Sequence, residues 1–397
     1  MITRQEFPYL QELVINDAYA VKNLRVPVFE PGQEFKHLVL TGRNGSGKTT
    51  VLREINSLWS RPHNVLSSDG KFTDHLNPDK KITIYFTAQI KNESVINLAT
   101  LLNSKIVINT FFEATRKVQV LDVSSVLRED FMDERVRGGH PMQGSPSELF
   151  KQYLVNKKVF QVFDTIDGND EVAERQAVFF ERLEKVFRQI FGDLKLNLEF
   201  VRESFEFYIN LSDGRRFTFN QLSAGYSAFL SILTDLLMRV DLLRKQANDY
   251  TYDPCGFVLI DEPETHLHLE MQYQILPLLT NLFPNLQFIV ATHSPAVASS
   301  IKNATVFDLS TGQALGDEAA GSSFSELMQT HFGLENEYSN VADKILEEVA
   351  EVGQMTDRAA ALVRLQRLLE EQGKYMSPVL RLDVQAHLLH LQREQAA

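Results

Sequence analysis

Gly42-Arg43-Asn44-Gly45-Ser46-Gly47-Lys48-Thr49 has the spacing G-x-x-x-x-G-K-[ST], with Thr50 directly after it. A loop of this kind turns backbone N–H groups inward around phosphate oxygens. Lys48 reaches the β- and γ-phosphates, and the Thr49 hydroxyl is offered to Mg²⁺. A complementary group follows far along the chain, where the apolar run Cys255-Gly256-Phe257-Val258-Leu259-Ile260 ends in Asp261-Glu262-Pro263. At such a strand tip Asp261 can hold Mg²⁺ and Glu262 can polarise a water for attack on the γ-phosphate. The next apolar run, Phe288 to Thr292, ends at His293. An imidazole at the carboxyl edge of a parallel sheet can donate to a γ-phosphate oxygen. These three segments imply a Mg²⁺–nucleoside triphosphate site. His266 and His268 are two apart and point to different faces of a helix, which argues against a zinc pair.

Leu222-Ser223-Ala224-Gly225-Tyr226 precedes a long apolar helix. Taken alone the segment favours Ser223 as an N-cap. In the functional reading Ser223 and the Gly225 backbone sit at a helix end whose partial positive charge faces a second phosphate group.

These residues need strands and helices to hold them. The loop lies between an apolar strand, Leu38-Val39-Leu40, and a helix marked by Val51, Leu52, Ile55 and Leu58. Residues 1–90 read as an N-terminal lobe of short β-rich runs around this loop. Residues 91–195 show no parallel-sheet rhythm and read as a mainly helical insertion, with amphipathic helices over Ser147–Phe163 and Glu171–Phe191. Residues 196–316 return to short strands and then alternate helix and buried strand, the pattern of a parallel sheet covered on both faces. Residues 317–397 read as a helical tail, either an oligomer contact, an effector dock or plain packing. The fold class is therefore α/β, a P-loop parallel sheet with an antiparallel β subdomain, a helical insertion and a helical C-terminal tail.

The order of phosphate loop, Leu-Ser-x-Gly segment, acidic pair and Thr-His resembles the heads of ABC-type ATPases, over about residues 8–90 and 196–310. The resemblance implies ATP and Mg²⁺ as ligands, ATP hydrolysis, and a head-to-head dimer in which Ser223 and Gly225 complete the partner's ATP site in trans. It also makes Gln89 a candidate for the family's Mg²⁺- and water-sensing glutamine. The spelling Asp261-Glu262-Pro263-Glu264-Thr265-His266-Leu267-His268 resembles the OLD-nuclease-related and RecF/SMC-like branch rather than transporter heads. The roughly 87 residues after Ser310 carry no strand-borne Glu and Asp-x-Asp pattern, so no Toprim nuclease domain is expected here. A head with a short helical tail resembles the ATPase subunits of bacterial anti-phage systems of the Septu and PARIS kind. That implies a homodimer or higher homo-oligomer, a separate nuclease or Toprim-type effector, and a phage-encoded trigger. The alternative is a RecF-like DNA repair ATPase that binds double-stranded DNA directly.

Composition sets outer limits. The chain has 397 residues with 44% hydrophobic and 23% charged side chains, near globular averages. One cysteine, Cys255, excludes a disulfide framework, and no apolar run of membrane-spanning length occurs, so a cytoplasmic protein without membrane contact is expected. The net charge of −12 is unevenly spread: 11 basic and 9 acidic residues in 1–90 give +2, 15 and 16 in 91–198 give −1, 7 and 13 in 199–316 give −6, and 7 and 14 in 317–397 give −7. Nucleic acid is thus disfavoured for the tail, while the near-neutral insertion, with Arg128, Arg135 and Arg137, leaves a local phosphate-backbone contact open.

Overall fold

The computed structural model describes residues 1–59, 65–66, 71–73, 82–86, 101, 106–115, 120–136, 146–315, 327, 340–355 and 357–396. The chain divides into two compact units, Met1–Phe324 and Ser325–Ala397.

In the first unit, β1 (Leu10–Ala18) and β2 (Val21–Pro27) form an antiparallel hairpin, followed by β3 (His37–Thr41) and helix α1 (Lys48–Trp59). Strands β4 (Val65–Leu66), β5 (Lys71–Thr73) and β6 (Ile82–Phe86) complete a five-stranded antiparallel sheet of order β2-β1-β6-β5-β4. Strand β7 (Ile108–Phe112) precedes helices α2 (Glu129–Val136), α3 (Phe150–Ile166) and α4 (Asp170–Phe191). A small antiparallel sheet of β8 (Asn197–Val201), β9 (Glu206–Asn210) and β10 (Arg216–Thr218) leads into the 24-residue helix α5 (Ala224–Ala247). Then come β11 (Gly256–Asp261), α6 (Leu269–Leu282), β12 (Leu286–Ala291), the single turn α7 (Pro295–Ala298), β13 (Ala304–Asp308) and β14 (Gln313–Leu315).

The central sheet has the order β14-β13-β3-β12-β11-β7, and all its strands are parallel except β14 at one edge. All residues of β3, β11 and β12 are buried, which is why those strands read as continuous apolar runs. One face of the sheet (Leu38, Leu40, Phe257, Leu259, Ile289, Ala291, Phe307) packs in a common core with Val51, Leu52 and Ile55 of α1 and Leu13, Ile15, Ile82 and Ile84 of the antiparallel sheet. The apolar spacing of α1 is thus the stripe that glues the phosphate loop's helix between two sheets.

The structure differs from the sequence reading at Ile108–Phe112. This segment, read as part of a helical insertion without sheet rhythm, is the edge strand of the parallel sheet and pairs with β11 from Ile108↔Gly256 to Phe112↔Ile260. An isolated five-residue strand with mostly half-buried side chains carries too little alternation to be told from a loop. Gly256 reflects this neighbour, because a Cβ there would lie 2.0 Å from the Ile108 carbonyl oxygen.

Helices α3 and α4 form an antiparallel hairpin. Phe179, Leu183, Val186, Phe187 and Ile190 make the buried stripe of α4. Polar contacts anchor the hairpin to its surroundings: Lys151 Nζ donates to Asp122 at 2.9 Å and to Glu206 of β9 at 3.0 Å, while Lys157 pairs with Asp241 of α5 at 2.7 Å. The Tyr153 hydroxyl also donates to Asp241, and burial together with that carboxylate holds the phenol well above its ordinary pKa. A buried charge held by two donors is costly to strip of either one, so α5 and the hairpin are tied together.

Among the described residues, the second unit has α8 (Asn340–Gly353), α9 (Arg358–Gln372) and α10 (Pro378–Ala396) around a core of its own, including Val349, Val352, Leu362, Leu365, Leu380 and Val384. Asp357 caps α9 by accepting the N–H groups of Ala359 and Ala360 at 3.1 Å. No described helix is long and apolar enough to cross a membrane.

Candidate functional site

The register of the parallel sheet sets Asp261 beside Ala291 and Asp308 beside Thr41. The loops that follow β3, β11, β12 and β13 therefore leave along one edge, the carboxyl edge where open α/β sheets bind ligands. Segments more than 200 residues apart in sequence meet there.

The loop after β3 demands glycine for two separate reasons. Gly42 and Gly47 have φ of +133° and +94°, outside the usual range of L side chains. Each is also hemmed in, since a Cβ at Gly42 would lie 2.8 Å from the hydroxyls of Ser310 and Ser46, and one at Gly47 would lie 2.8 Å from Val21 Cγ2. The end of β13 braces the loop: the Arg43 N–H donates to Ser310 Oγ at 2.8 Å, and the Ser310 N–H donates to Asp308 Oδ1 at 2.7 Å. Asp308 and Ser310 escape the sequence reading because nothing local to them signals a phosphate loop. Arg43, Asn44 and Gly45 are exposed on the outer curve of the loop, and Thr50 is half-buried on α1.

Lys48 is 5% exposed and donates to the carbonyl oxygens of Gly42 at 2.8 Å and Arg43 at 3.2 Å. Burial lowers its pKa, against the opposing pull of the carboxylates of Glu262, Asp261 and Glu264. Its neighbour Thr49 donates its hydroxyl to Asp261 Oδ1 at 3.1 Å, which joins the loop to the tip of β11. Hydroxyl and carboxylate oxygens in contact, with Glu262 next in sequence, suit Mg²⁺, a hard cation that takes few protein oxygens and completes its shell with phosphate and water. Gln89 lies outside the described residues.

Glu262 occupies the left-handed region at φ +46°, and its N–H donates to the Ala291 carbonyl at 2.8 Å. A non-glycine residue at this backbone angle costs on the order of 1 kcal/mol and is held only where the surroundings over-determine it. The turn places Glu262 Oε1 3.8 Å from His293 Nε2. The other ring nitrogen, Nδ1, lies 3.5 Å from Lys48 Nζ. An ammonium only donates, so Nδ1 is the acceptor and the ring hydrogen sits on Nε2, facing the carboxylate. Burial, reinforced by Lys48, lowers the His293 pKa against the pull of Glu262, which favours the neutral imidazole at neutral pH.

Glu264 stands two residues after Glu262 on the same turn. Its Oε1 accepts the backbone N–H of His293 at 2.6 Å, and burial raises its pKa. It therefore positions the histidine loop.

Ser223 stands at the N-cap position of α5, but its side chain makes no capping hydrogen bond. The first N–H groups of a 24-residue helix are thus left without a side-chain cap beside an exposed hydroxyl. Gly225 is buried against the turn after β11, where a Cβ would lie 2.3 Å from the His266 carbonyl oxygen. Tyr226 stacks on Phe191 of α4 with ring centroids 4.9 Å apart. The Leu222–Tyr226 segment is therefore packed on the turn that carries Glu262. We expect Gly225→Ala to force that turn aside and to lower stability by about 1–3 kcal/mol, read as a drop in melting temperature accompanied by loss of ATPase activity. An unchanged melt would contradict the packing.

The sequence reading also missed Tyr19. It is 85% exposed with φ +59° at the apex of the β1–β2 hairpin, whose Ala20 and Val21 pack on Gly47. A cavity of about 760 Å³ among α4, α5 and α6 is lined by none of these site residues.

A phosphate loop at the carboxyl edge of a parallel sheet, with an antiparallel sheet on one side and helix α5 packed on the acidic turn, defines the fold of an ATPase head of the ABC type. The chain belongs to the family described as "AAA domain, putative AbiEii toxin, Type IV TA system", which matches residues 38–299. It is similar to the Septu protein PtuA of Bacillus thuringiensis, 23% identical over 400 residues that cover 95% of this chain and 94% of that protein. It is also similar to the Retron Ec83 probable ATPase of Escherichia coli, 41% identical over 93 residues, or 23% of this chain and 17% of the retron protein. Among solved structures it matches the Smc head domain with an extended coiled coil, bound to the C-terminal domain of ScpA from Pyrococcus furiosus. That match has 14% identity and a TM-score of 0.40, and covers 79% of this chain and 98% of the other.

Proposed function

We propose that this protein binds and hydrolyses ATP in a head-to-head dimer and serves as the sensor or scaffold subunit of a bacterial anti-phage defence complex, controlling a separate nuclease or Toprim-type effector. The observation that carries the ATPase reading is the meeting of Lys48, Thr49, Asp261, Glu262 and His293 at one sheet edge. Residues Gly42 to Thr50 cradle the triphosphate. Lys48 exchanges the carbonyls of Gly42 and Arg43 for β- and γ-phosphate oxygens, and Thr49 and Asp261 hold Mg²⁺. The metal, when bound, neutralises charge on the phosphates. Glu262 accepts the proton of the attacking water, and the Nε2 hydrogen of His293 donates to a γ-phosphate oxygen. Tyr19 offers an exposed ring beside the loop on which the base can stack.

The uncapped end of α5 supports the dimer. A helix N-terminus whose N–H groups and serine hydroxyl are unused suits the γ-phosphate held by a second head. Similarity to Septu PtuA along nearly its whole length supports the defence reading. Ser223→Arg places a long side chain where that phosphate would sit, and ATP-dependent dimerisation should fall by tenfold or more while ATP binding by the single head persists. Light scattering with and without ATP measures it. A variant that dimerised normally would refute the shared site, and copurification of a nuclease with the native operon products tests the effector role.

A further inference from the structure

We infer that Gln272 is a positioning residue for ATP hydrolysis, an assignment that rests on His293 being the γ-phosphate donor proposed above. From α6 its amide holds the loop that carries His293 to the turn that carries Glu262. The imidazole itself makes only long polar contacts. Its Nδ1 is 3.5 Å from Lys48 Nζ and its Nε2 is 3.8 Å from Glu262 Oε1, both beyond the roughly 2.7–3.2 Å of an ordinary hydrogen bond. The side chain is also 34% exposed, so packing does not lock the ring either. Its direction is set by the backbone that carries it, and that backbone is fastened on both sides. On the β12 side the Thr292 N–H donates to the Leu40 carbonyl at 3.0 Å and the His293 N–H to Glu264 at 2.6 Å. On the other side the anchor is Ser294, whose hydroxyl donates to Gln272 Oε1 at 2.7 Å.

The side chain bridges two segments that must keep their spacing. Gln272 Nε2 donates to the Leu267 carbonyl at 2.9 Å, its Oε1 accepts from Ser294, and Ser294 Oγ in turn accepts the Val297 N–H of α7 at 3.3 Å. A carbonyl only accepts, so Leu267 fixes which end of the amide faces it and leaves the oxygen for the serine hydroxyl. No other side-chain type does both: a carboxylate lacks the donor and an ammonium lacks the acceptor, and asparagine is one methylene shorter. Ser294 is 6% exposed, so a hydroxyl deprived of Gln272 regains an acceptor only by moving the loop. The far end of the chain belongs to the acidic turn. There the Leu267 N–H donates to the Glu264 carbonyl at 2.8 Å and the Thr265 N–H to the Glu262 carbonyl at 3.2 Å. Gln272 thus sets the turn of the base and the loop of the histidine at one separation. Support of α6 alone does not call for this reach. Ser294 is 22 residues away, and the backbone bond of α6 at this position, from the Gln272 N–H to the His268 carbonyl at 3.1 Å, forms without the side chain.

The test is a double-mutant cycle in the full chain, read by steady-state phosphate release and by titration with ATP. Gln272→Met keeps the length and helical preference of the side chain and removes both bonds. It should lower kcat about tenfold or more and leave the dissociation constant for ATP within about twofold, because a small displacement of a donor is felt in the transition state and not by the phosphate loop. His293→Ala should lower kcat about a hundredfold. Adding Gln272→Met to it should then change kcat by less than about twofold, since the ring through which Gln272 acts is gone. Ser294→Ala deletes only the hydroxyl and should show the same fall and the same silence beside His293→Ala, which keeps the test intact if Gln272→Met folds poorly. A Gln272→Met enzyme with the wild-type kcat overturns the inference. So does a double variant in which the two losses multiply, the result expected of a residue that supports the fold at large. If His293→Ala itself turns over normally, the proposed role of the histidine fails and the inference with it; a slow His293→Ala beside a normal Gln272→Met removes the inference alone.

Discussion

Replacing Lys48 by alanine is expected to weaken ATP binding by a few hundred- to a thousandfold. The side chain is 5% exposed and its ammonium already points into the loop, donating to the Gly42 and Arg43 carbonyls. Little rearrangement separates this state from one in which it bridges β- and γ-phosphate oxygens. Two charge-assisted hydrogen bonds in a partly desolvated loop are worth together about 3–4 kcal/mol, which is that factor in the binding constant. The lowered pKa works in the same direction. A lysine whose charge burial disfavours gains most when an anion arrives, so the triphosphate restores what burial removed. Isothermal titration of ATP into the wild type and the variant measures the loss, with circular dichroism as the control for folding. An affinity within threefold of wild type would remove Lys48 from the phosphate site.

Glu262→Gln should leave ATP affinity within a few-fold and lower kcat by about two to three orders of magnitude. The amide keeps the shape of the side chain and can keep the left-handed turn held by the Ala291 carbonyl, but it cannot accept a proton from water. The neutral His293 ring, with its hydrogen on Nε2 beside Glu262, can still donate to the γ-phosphate, so binding persists while turnover stalls. Steady-state phosphate release gives kcat, and the ATP retained after gel filtration reports the stalled complex. A kcat within twofold of wild type would assign the base elsewhere.

Much of this site is legible in the sequence. The Gly42–Thr49 loop, the Asp261-Glu262 tip and His293 are each spelled within a few residues, because each is a strand end whose chemistry is set by its own side chains and backbone angles. The apolar runs that became β3, β11 and β12 were equally plain, since strands buried on both faces leave no room for polar residues. Elsewhere local pattern misled or was silent. Ser223 had the sequence of an N-cap, yet its hydroxyl is not spent on its own helix. Nothing local to Glu264 shows that it accepts the His293 backbone N–H.

By itself, then, the sequence determined which groups could handle a triphosphate: a glycine loop able to adopt positive φ, a lysine, a hydroxyl, two carboxylates and an imidazole at the ends of apolar strands. Those properties belong to single residues and their near neighbours. Only the tertiary structure decided that Ser310 and Asp308 brace the loop, that Ile108–Phe112 extends the sheet, and that Gly225 must be glycine because the His266 carbonyl lies against it. Each of these depends on which strands are neighbours and which helix face is already covered. Strand order and face coverage are set by the packing of the whole chain, and no window of local sequence contains them.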